Sequence, residues 1–194
     1  MDTDMRDHTL YKIFAQKVAL TEKEFESVAR HFKLMTVGKK ERLVTEGHYT
    51  DTAYVVDKGL LYSYKTLDSG DIQVIQFAKE NYWIGDFYGF FLGGKALFTV
   101  ETLENSDVWC IKKSYLDIMM NEHRVIETFF RVMLQRAYAN TLVRLCDAFS
   151  QDGEEKYSRL LKQSPDLLHR VPQYLIASYL GILPSSLSRI RAKK

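Results

Sequence analysis

Between Leu34 and Lys112 the chain breaks into short runs rich in β-branched and aromatic residues: Leu43-Val44, Ala53 to Val56, Leu60 to Tyr64, Ile72 to Phe77 and Val108 to Ile111. Gly47, Gly59, Asp68-Ser69-Gly70 and Gly93-Gly94 separate them. Turn signals about every eight to twelve residues between such runs predict short antiparallel strands in a β-barrel or jelly roll. Helical patterning flanks this region. Thr21-Glu22-Lys23-Glu24 is a capping-box pattern, and Phe25, Val28, Ala29 and Phe32 follow at helical spacing, which predicts a helix over Glu22 to Phe32.

Beyond Ser114 neither proline nor glycine occurs until Gly153. In the stretch at about 123–150, Val125, Ile126, Phe129, Phe130, Val132, Met133, Leu134, Ala137, Tyr138 and Leu142 cover most of a helix circumference. A helix that is apolar nearly all round is buried on more than one side. The expectation is a long helix that packs on its own barrel and on a second copy of itself; a central helix of a single larger core is the other reading. Gln151-Asp152-Gly153-Glu154-Glu155 reads as a helix stop and hinge, Glu154 to Gln163 as helical, and Ser164-Pro165-Asp166 as a break.

The remaining composition narrows the class. Hydrophobic residues make up 46% and charged residues 27%, an ordinary globular balance, and no apolar run approaches the roughly 20 residues of a membrane-crossing helix. The opening MDTDMRDHTLYK has no basic segment followed by an apolar core, so a cytoplasmic protein is expected. Cys110 and Cys146 are too far apart in sequence for metal-ligand spacing or a disulfide framework, and both are expected to be buried thiols. The formal net charge is only +2, yet residues 171–194 carry Arg189, Arg191, Lys193 and Lys194 and no acid, which leaves −2 on the rest. That basic end is where a polyanion would bind, unless it only complements a helix dipole.

The segment QYLIASYLGILPSSLSRIRA, from Gln173, fits a helix-turn-helix frame. Ala177 is the small residue at the helix crossing, Gly181 permits the tight turn, and Ile176, Leu180, Ile182, Leu187 and Ile190 supply the shared core. Ser185, Ser186, Ser188 and Arg189 then fall on the exposed side of the second helix, the part of this motif that enters the major groove. An arginine at 189 can make two bonds to one guanine edge, while Arg191, Lys193 and Lys194 suit phosphates. Pro184 suits a first helical turn, but Leu183 before it offers no capping oxygen. A helical hairpin with no nucleic-acid role is the alternative. The chain stops four residues after Ile190, so no hairpin wing is expected.

Strands, long helix and terminal helix-turn-helix, in that order, resemble the Crp/Fnr family of transcription regulators. The segments VDKGLLYSYK, Ile84-Gly85-Asp86 and VPQYLIASYLGILPSSLSRIR look most like its Bacteroidetes-type branch. The resemblance implies an α+β protein: an antiparallel β-barrel or jelly roll of the cyclic-nucleotide-binding type with flanking helices, a long dimerisation helix and a small helix-turn-helix domain. Residues 1–150 would be the sensor domain and 151–194 the DNA-binding domain. It further implies a homodimer on double-stranded DNA, with RNA polymerase as a partner and no membrane association. In cyclic-nucleotide-binding members a Gly-Glu pair holds the ribose, and an Arg-Ser or Arg-Thr further on holds the cyclic phosphate.

Here Gly85-Asp86 takes the first place, but Ala96 and Leu97 take the second. Lys95 beside them is a point charge rather than a planar fork. Cyclic AMP is therefore not an expected ligand, no cofactor is predicted, and the effector is unknown. Trp83, Gly85, Asp86, Phe87, Tyr88, Ala96 and Leu97 mark the place of a degenerate pocket. Phe77, Tyr82, Phe90, Phe91 and Phe98 join Trp83, Phe87 and Tyr88 in an aromatic cluster that either lines it or, the commoner outcome at such density, fills it. The family's usual base readers flank the start of the recognition helix, where Pro184 and Ser185 stand instead of arginine and glutamate, so only Arg189 carries over. Two isolated cysteines do not hold an iron–sulfur cluster, and no pattern links the five histidines to haem. An enzyme on a jelly roll is the first rival, but His48 stands alone among the predicted strands and no P-loop, Gly-x-Ser-x-Gly or Rossmann pattern occurs. The second rival is a ligand-sensing or protein-interaction module whose helix-turn-helix no longer binds DNA.

Overall fold

The computed structural model describes residues 8–193. Met1 to Asp7, most of the opening segment weighed above for a secretory signal, and Lys194, expected at a phosphate, lie outside the described residues. Two helices, α1 (Thr9–Ala15) and α2 (Glu22–Ala29), precede the strands. The capping box at Thr21 and Glu24 is formed in both directions. However, α2 ends before the predicted Phe32, because His31 and Phe32 switch to bonds with the carbonyls three residues back, and Lys33 joins a sheet. Phe32 is nonetheless buried, against Phe14 and Trp83.

Strands β1 (Lys33–Val37), β2 (Arg42–Val44), β3 (Thr52–Lys58), β4 (Leu61–Thr66), β5 (Ile72–Ala78), β6 (Trp83–Ile84), β7 (Thr99–Thr102) and β8 (Ser106–Lys112) form two four-stranded sheets, β1-β8-β3-β6 and β2-β7-β4-β5. The closed barrel among the sequence expectations is not found; two sheets form instead, each keeping two edges. Strands β1 and β8, β2 and β7, β3 and β6, and β3 and β8 pair antiparallel, with Ala53 opposite Ile111 and Val56 opposite Val108. Strand β3 shows why its run is apolar without interruption. Tyr54 and Val56 join a core that includes Val37, Val44, Leu61, Val100 and Val108, whereas Ala53 and Val55 join Leu10, Phe14, Val28, Leu116, Phe129 and Phe130 of the helices. A strand covered on both faces loses the usual alternation.

Between β6 and β7 lies the short α3 (Phe87–Leu92); after β8 come α4 (Lys113–Glu122) and α5 (Arg124–Ser150). The break between α4 and α5 has no proline or glycine to announce it. It falls at His123, extended at φ −127, whose ring lies 2.9 Å from the Ser27 hydroxyl. Helix α5, about 40 Å long at 1.5 Å per residue, buries Ile126, Phe129 and Phe130. The expectation of two buried thiols fails, since Cys146 is exposed and Cys110 half-buried, both free. Cys146 sits on the part of α5 that lies beyond those buried residues.

The chain divides into two compact units, residues 1–63 with 77–136, and residues 64–76 with 137–194. The second comprises the end of the β4–β5 hairpin, the later half of α5, and α6 (Gly153–Gln163), α7 (Leu167–Arg170), α8 (Gln173–Leu180) and α9 (Pro184–Ala192). Its core gathers Tyr157, Leu160, Leu167, Val171, Leu175, Ile176, Ala177, Leu180 and Leu187. Of the segment 151–155, only Gln151 and Asp152 lie between α5 and α6, because Asp152 caps α6 by accepting from the Glu154 and Glu155 N–H groups at 2.9 Å. Among the described residues no helix is long and apolar enough to cross a membrane.

Candidate functional site

Asp86 is completely buried and organises the cradle at the β6–α3 junction. One carboxylate oxygen accepts from Gly89 N–H at 2.6 Å and caps α3. The other accepts from Leu97 N–H at 2.6 Å and Phe98 N–H at 2.9 Å. Three charge-assisted bonds at these lengths compensate the burial of a carboxylate. Gly89 is required by close approach, since a Cβ there would lie 3.0 Å from both the Gly94 carbonyl and the Thr50 methyl. The segment between α3 and β7 is strapped by a neighbouring loop. Gly47 N–H donates to the Ala96 carbonyl and Ala96 N–H to the His48 carbonyl, both at 2.8 Å, and Tyr49 bridges Lys95.

The other residues expected here go different ways. Ala96 is buried within the strap, while Leu97 is 40% exposed and contributes its backbone to Asp86. Tyr88 is exposed and shields Gly94, where a Cβ would meet its ring at 3.0 Å. Phe87 stacks on Phe91 at 5.8 Å. Gly85 is buried beside Ala53. Trp83 belongs to the helical core, its ring 5.1 Å from Phe130 and 6.1 Å from Phe32. The residues missed in the sequence are Gly89 and the strap Gly47-His48-Tyr49, while Phe98, expected there for its ring, contributes its backbone N–H. Asp86 followed by an aromatic run was itself a legible N-cap signal.

The second candidate site is built on α8 and α9. Gly181 sits at φ 67, ψ 37, and the Gly181 and Ile182 N–H groups close α8 on the carbonyls of Ser178 and Ala177 at 3.1 and 3.0 Å. This left-handed closure ends α8 in a conformation that favours glycine. Helix α9 then begins on Pro184 with no side-chain cap from Leu183. Leu187 is buried and Ile190 half-buried, which turns Ser185, Ser188, Arg189 and Arg191 to solvent and leaves Ser186 half-buried. Ser185 and Arg189, four residues apart, stand one above the other on the outer face. Ser188 directs its hydroxyl to the Pro184 carbonyl at 3.1 Å. Lys193 is exposed, and Arg189 and Lys193 border a crevice of about 320 Å³ with Gly153, Ile182, Ser186 and Ile190. Gly153 permits it: a Cβ there would stand 3.0 Å from the Ile182 methyl. Chemically, this face offers cationic and hydroxyl donors and no carboxylate of its own. Among the described residues no group of three or more His, Cys, Asp or Glu side chains converges as a metal site.

Residues 34–123 match the cyclic nucleotide-binding domain family. Over 80 residues the chain is 34% identical to the transcriptional activatory protein AadR of Rhodopseudomonas palustris, a match covering 41% of this chain and 30% of that relative. The c-di-GMP responsive global regulator CLP of Xanthomonas campestris is similar in structure, with a TM-score of 0.71 at 15% identity over 89% of this chain and 91% of that one. FixK2 from Bradyrhizobium japonicum has a TM-score of 0.68 at 20% identity, over 84% and 83% of the two chains. At such identities the likeness establishes the fold. Residues 34–123 thus resemble a cyclic nucleotide-binding domain, and the chain shares its fold with CLP and FixK2.

Proposed function

We propose that the protein is a dimeric, sequence-specific DNA-binding transcription regulator of the Crp/Fnr type, of the Bacteroidetes-type branch, working in the cytoplasm with RNA polymerase as its downstream partner and catalysing no reaction. The observation that carries this reading is α8, Gly181 and α9 with Arg189 on the outer face, in a terminal segment without acids. In this reading the pair is a helix-turn-helix. Arg189 reads a base edge, Ser185 and Ser186 bond bases or phosphates, and Arg191, Lys193 and Lys194 neutralise phosphates.

Dimerisation is supported by α5. Tyr138, Leu142, Leu145 and Phe149 are 67%, 43%, 53% and 85% exposed and follow one another at intervals of four, three and four. That spacing is the apolar seam of a two-stranded coiled coil. The nucleotide-binding-type domain operates without cyclic AMP. Asp86, in the ribose-holding place, is spent on three backbone N–H groups, and Ala96 and Leu97 offer a cyclic phosphate no charge. The cradle does not fit that ligand.

One pair of features favours the rival module that no longer binds DNA: Leu183 leaves α9 uncapped, and Ser188 commits its hydroxyl to the Pro184 carbonyl of its own helix. The test is selection of bound duplexes from a random library at about 50 and 200 mM salt. Wild type is expected to recover a two-fold symmetric site, and Arg189→Ala to relax selectivity at one base per half-site by about 1–3 kcal/mol. Recovery of nothing selective at either salt concentration supports the rival.

A further inference from the structure

Strand β5 is an outer strand of its sheet, so one row of its backbone groups has no strand partner. Within the second unit that row is met by helices. The Ser178 hydroxyl donates to the Ile72 carbonyl at 2.7 Å and accepts from Val74 N–H at 2.9 Å. One side chain thus takes the two backbone groups that a residue of a parallel neighbouring strand would take. The Gln73 side-chain amide donates to the Ser178 carbonyl. Arg144 of α5 donates to the Ile75 carbonyl at 2.7 Å, and its guanidinium lies 4.7 Å from the centre of the Tyr179 ring. Ser178 is also the residue whose carbonyl accepts from Gly181 N–H at the turn that aims α9. The strand edge and the turn therefore meet at Ser178, and the long helix reaches the same strand and the adjoining Tyr179.

We infer that Ser178 is a positioning residue for DNA recognition: its hydroxyl fastens α8 to the β5 edge and so holds α9 in one orientation against α5. This rests on the reading of α8 and α9 as the DNA-binding element. Helix α8 itself does not depend on the fastening, because Leu175, Ile176, Ala177 and Leu180 keep it buried. Loss of the hydroxyl frees a pivot rather than unfolding a helix. A single half-site engages one α9, whose orientation against α5 is then immaterial. A two-fold site requires both recognition helices at a fixed separation, and a freed pivot must be ordered again on binding.

The experiment uses the full chain and the duplex selected by wild type, presented as the whole two-fold site and as an isolated half-site. Ser178→Ala is expected to speed amide exchange at Val74 and to weaken whole-site binding about tenfold, the scale of one or two net hydrogen bonds. Half-site binding stays unchanged, and Ser178→Thr, which keeps the hydroxyl, restores both properties. An equal loss on both duplexes marks a merely structural role and overturns the inference, as does unchanged whole-site binding or a Val74 amide that stays protected. A wild type that selects no duplex instead defeats the DNA-binding reading, and this inference falls with it.

Discussion

Asp86 shows how one buried carboxylate ties separate segments together. Its carboxylate joins the start of α3 to the backbone of Leu97 and Phe98 in a fully buried place. Asp86→Ala strands three N–H donors, each costing about 1–3 kcal/mol when buried without a partner. The expected loss is at least about 3 kcal/mol, read as a lower urea midpoint. Tyr54 makes a prediction in pH. Its hydroxyl donates to the Leu43 carbonyl at 3.2 Å, and burial, with smaller contributions from Cys110 and Asp51, pushes the phenol up from 10.0 to about 12. Below pH 10 both folded and unfolded chains hold the proton; above it the unfolded chain releases its proton first, so stability falls as pH rises toward 12. Tyr54→Phe should lose about 1 kcal/mol at pH 7 with the hydrogen bond. Its stability should then fall less steeply than wild type above pH 10, as urea titrations at several pH values would show.

Helix α5 poses a different problem, because its later half presents an apolar seam with little of the chain over it. Leu145→Glu places a charge in that seam and should convert a dimer into a monomer in sedimentation at micromolar protein, with helix content unchanged. A variant that remains dimeric removes α5 as the interface. Much at the scale of elements was legible beforehand, since the signals are local. The capping box starts α2, the apolar runs mark β2, β3, β4, β5 and β8, and Gly181 with Pro184 sets the limits of α8 and α9. The start of the long helix at about 123 was legible from its apolar run, but the contact of His123 with Ser27, far away in sequence, was not.

For the whole molecule, the nucleotide-binding-type fold and the uncharged Ala96 and Leu97 pull in opposite directions, and a thermal melt decides between them. A ligand with Kd near 10 µM, supplied at about 1 mM, adds about 2.7 kcal/mol. In a chain of this size that raises Tm by about 5 °C or more. Cyclic AMP is expected to leave Tm unchanged; a rise of that size would restore the nucleotide as an effector.

By itself the sequence determined the class of each long element and the composition of the terminal basic face, because periodicity, caps and charge act between near neighbours. Tertiary structure alone decided that the strands form two sheets rather than a closed barrel. It alone placed Trp83 against Phe32 and Phe130, gave Asp86 two of its three donors from beyond α3, and set Ser178 on the edge of β5. The Ser178 contact joins residues about a hundred positions apart, and a single hydroxyl in an amphipathic helix carries no local mark of the strand it meets. Pairing between distant segments is fixed by which faces are left to bury and which backbone groups are left to satisfy once every element has formed.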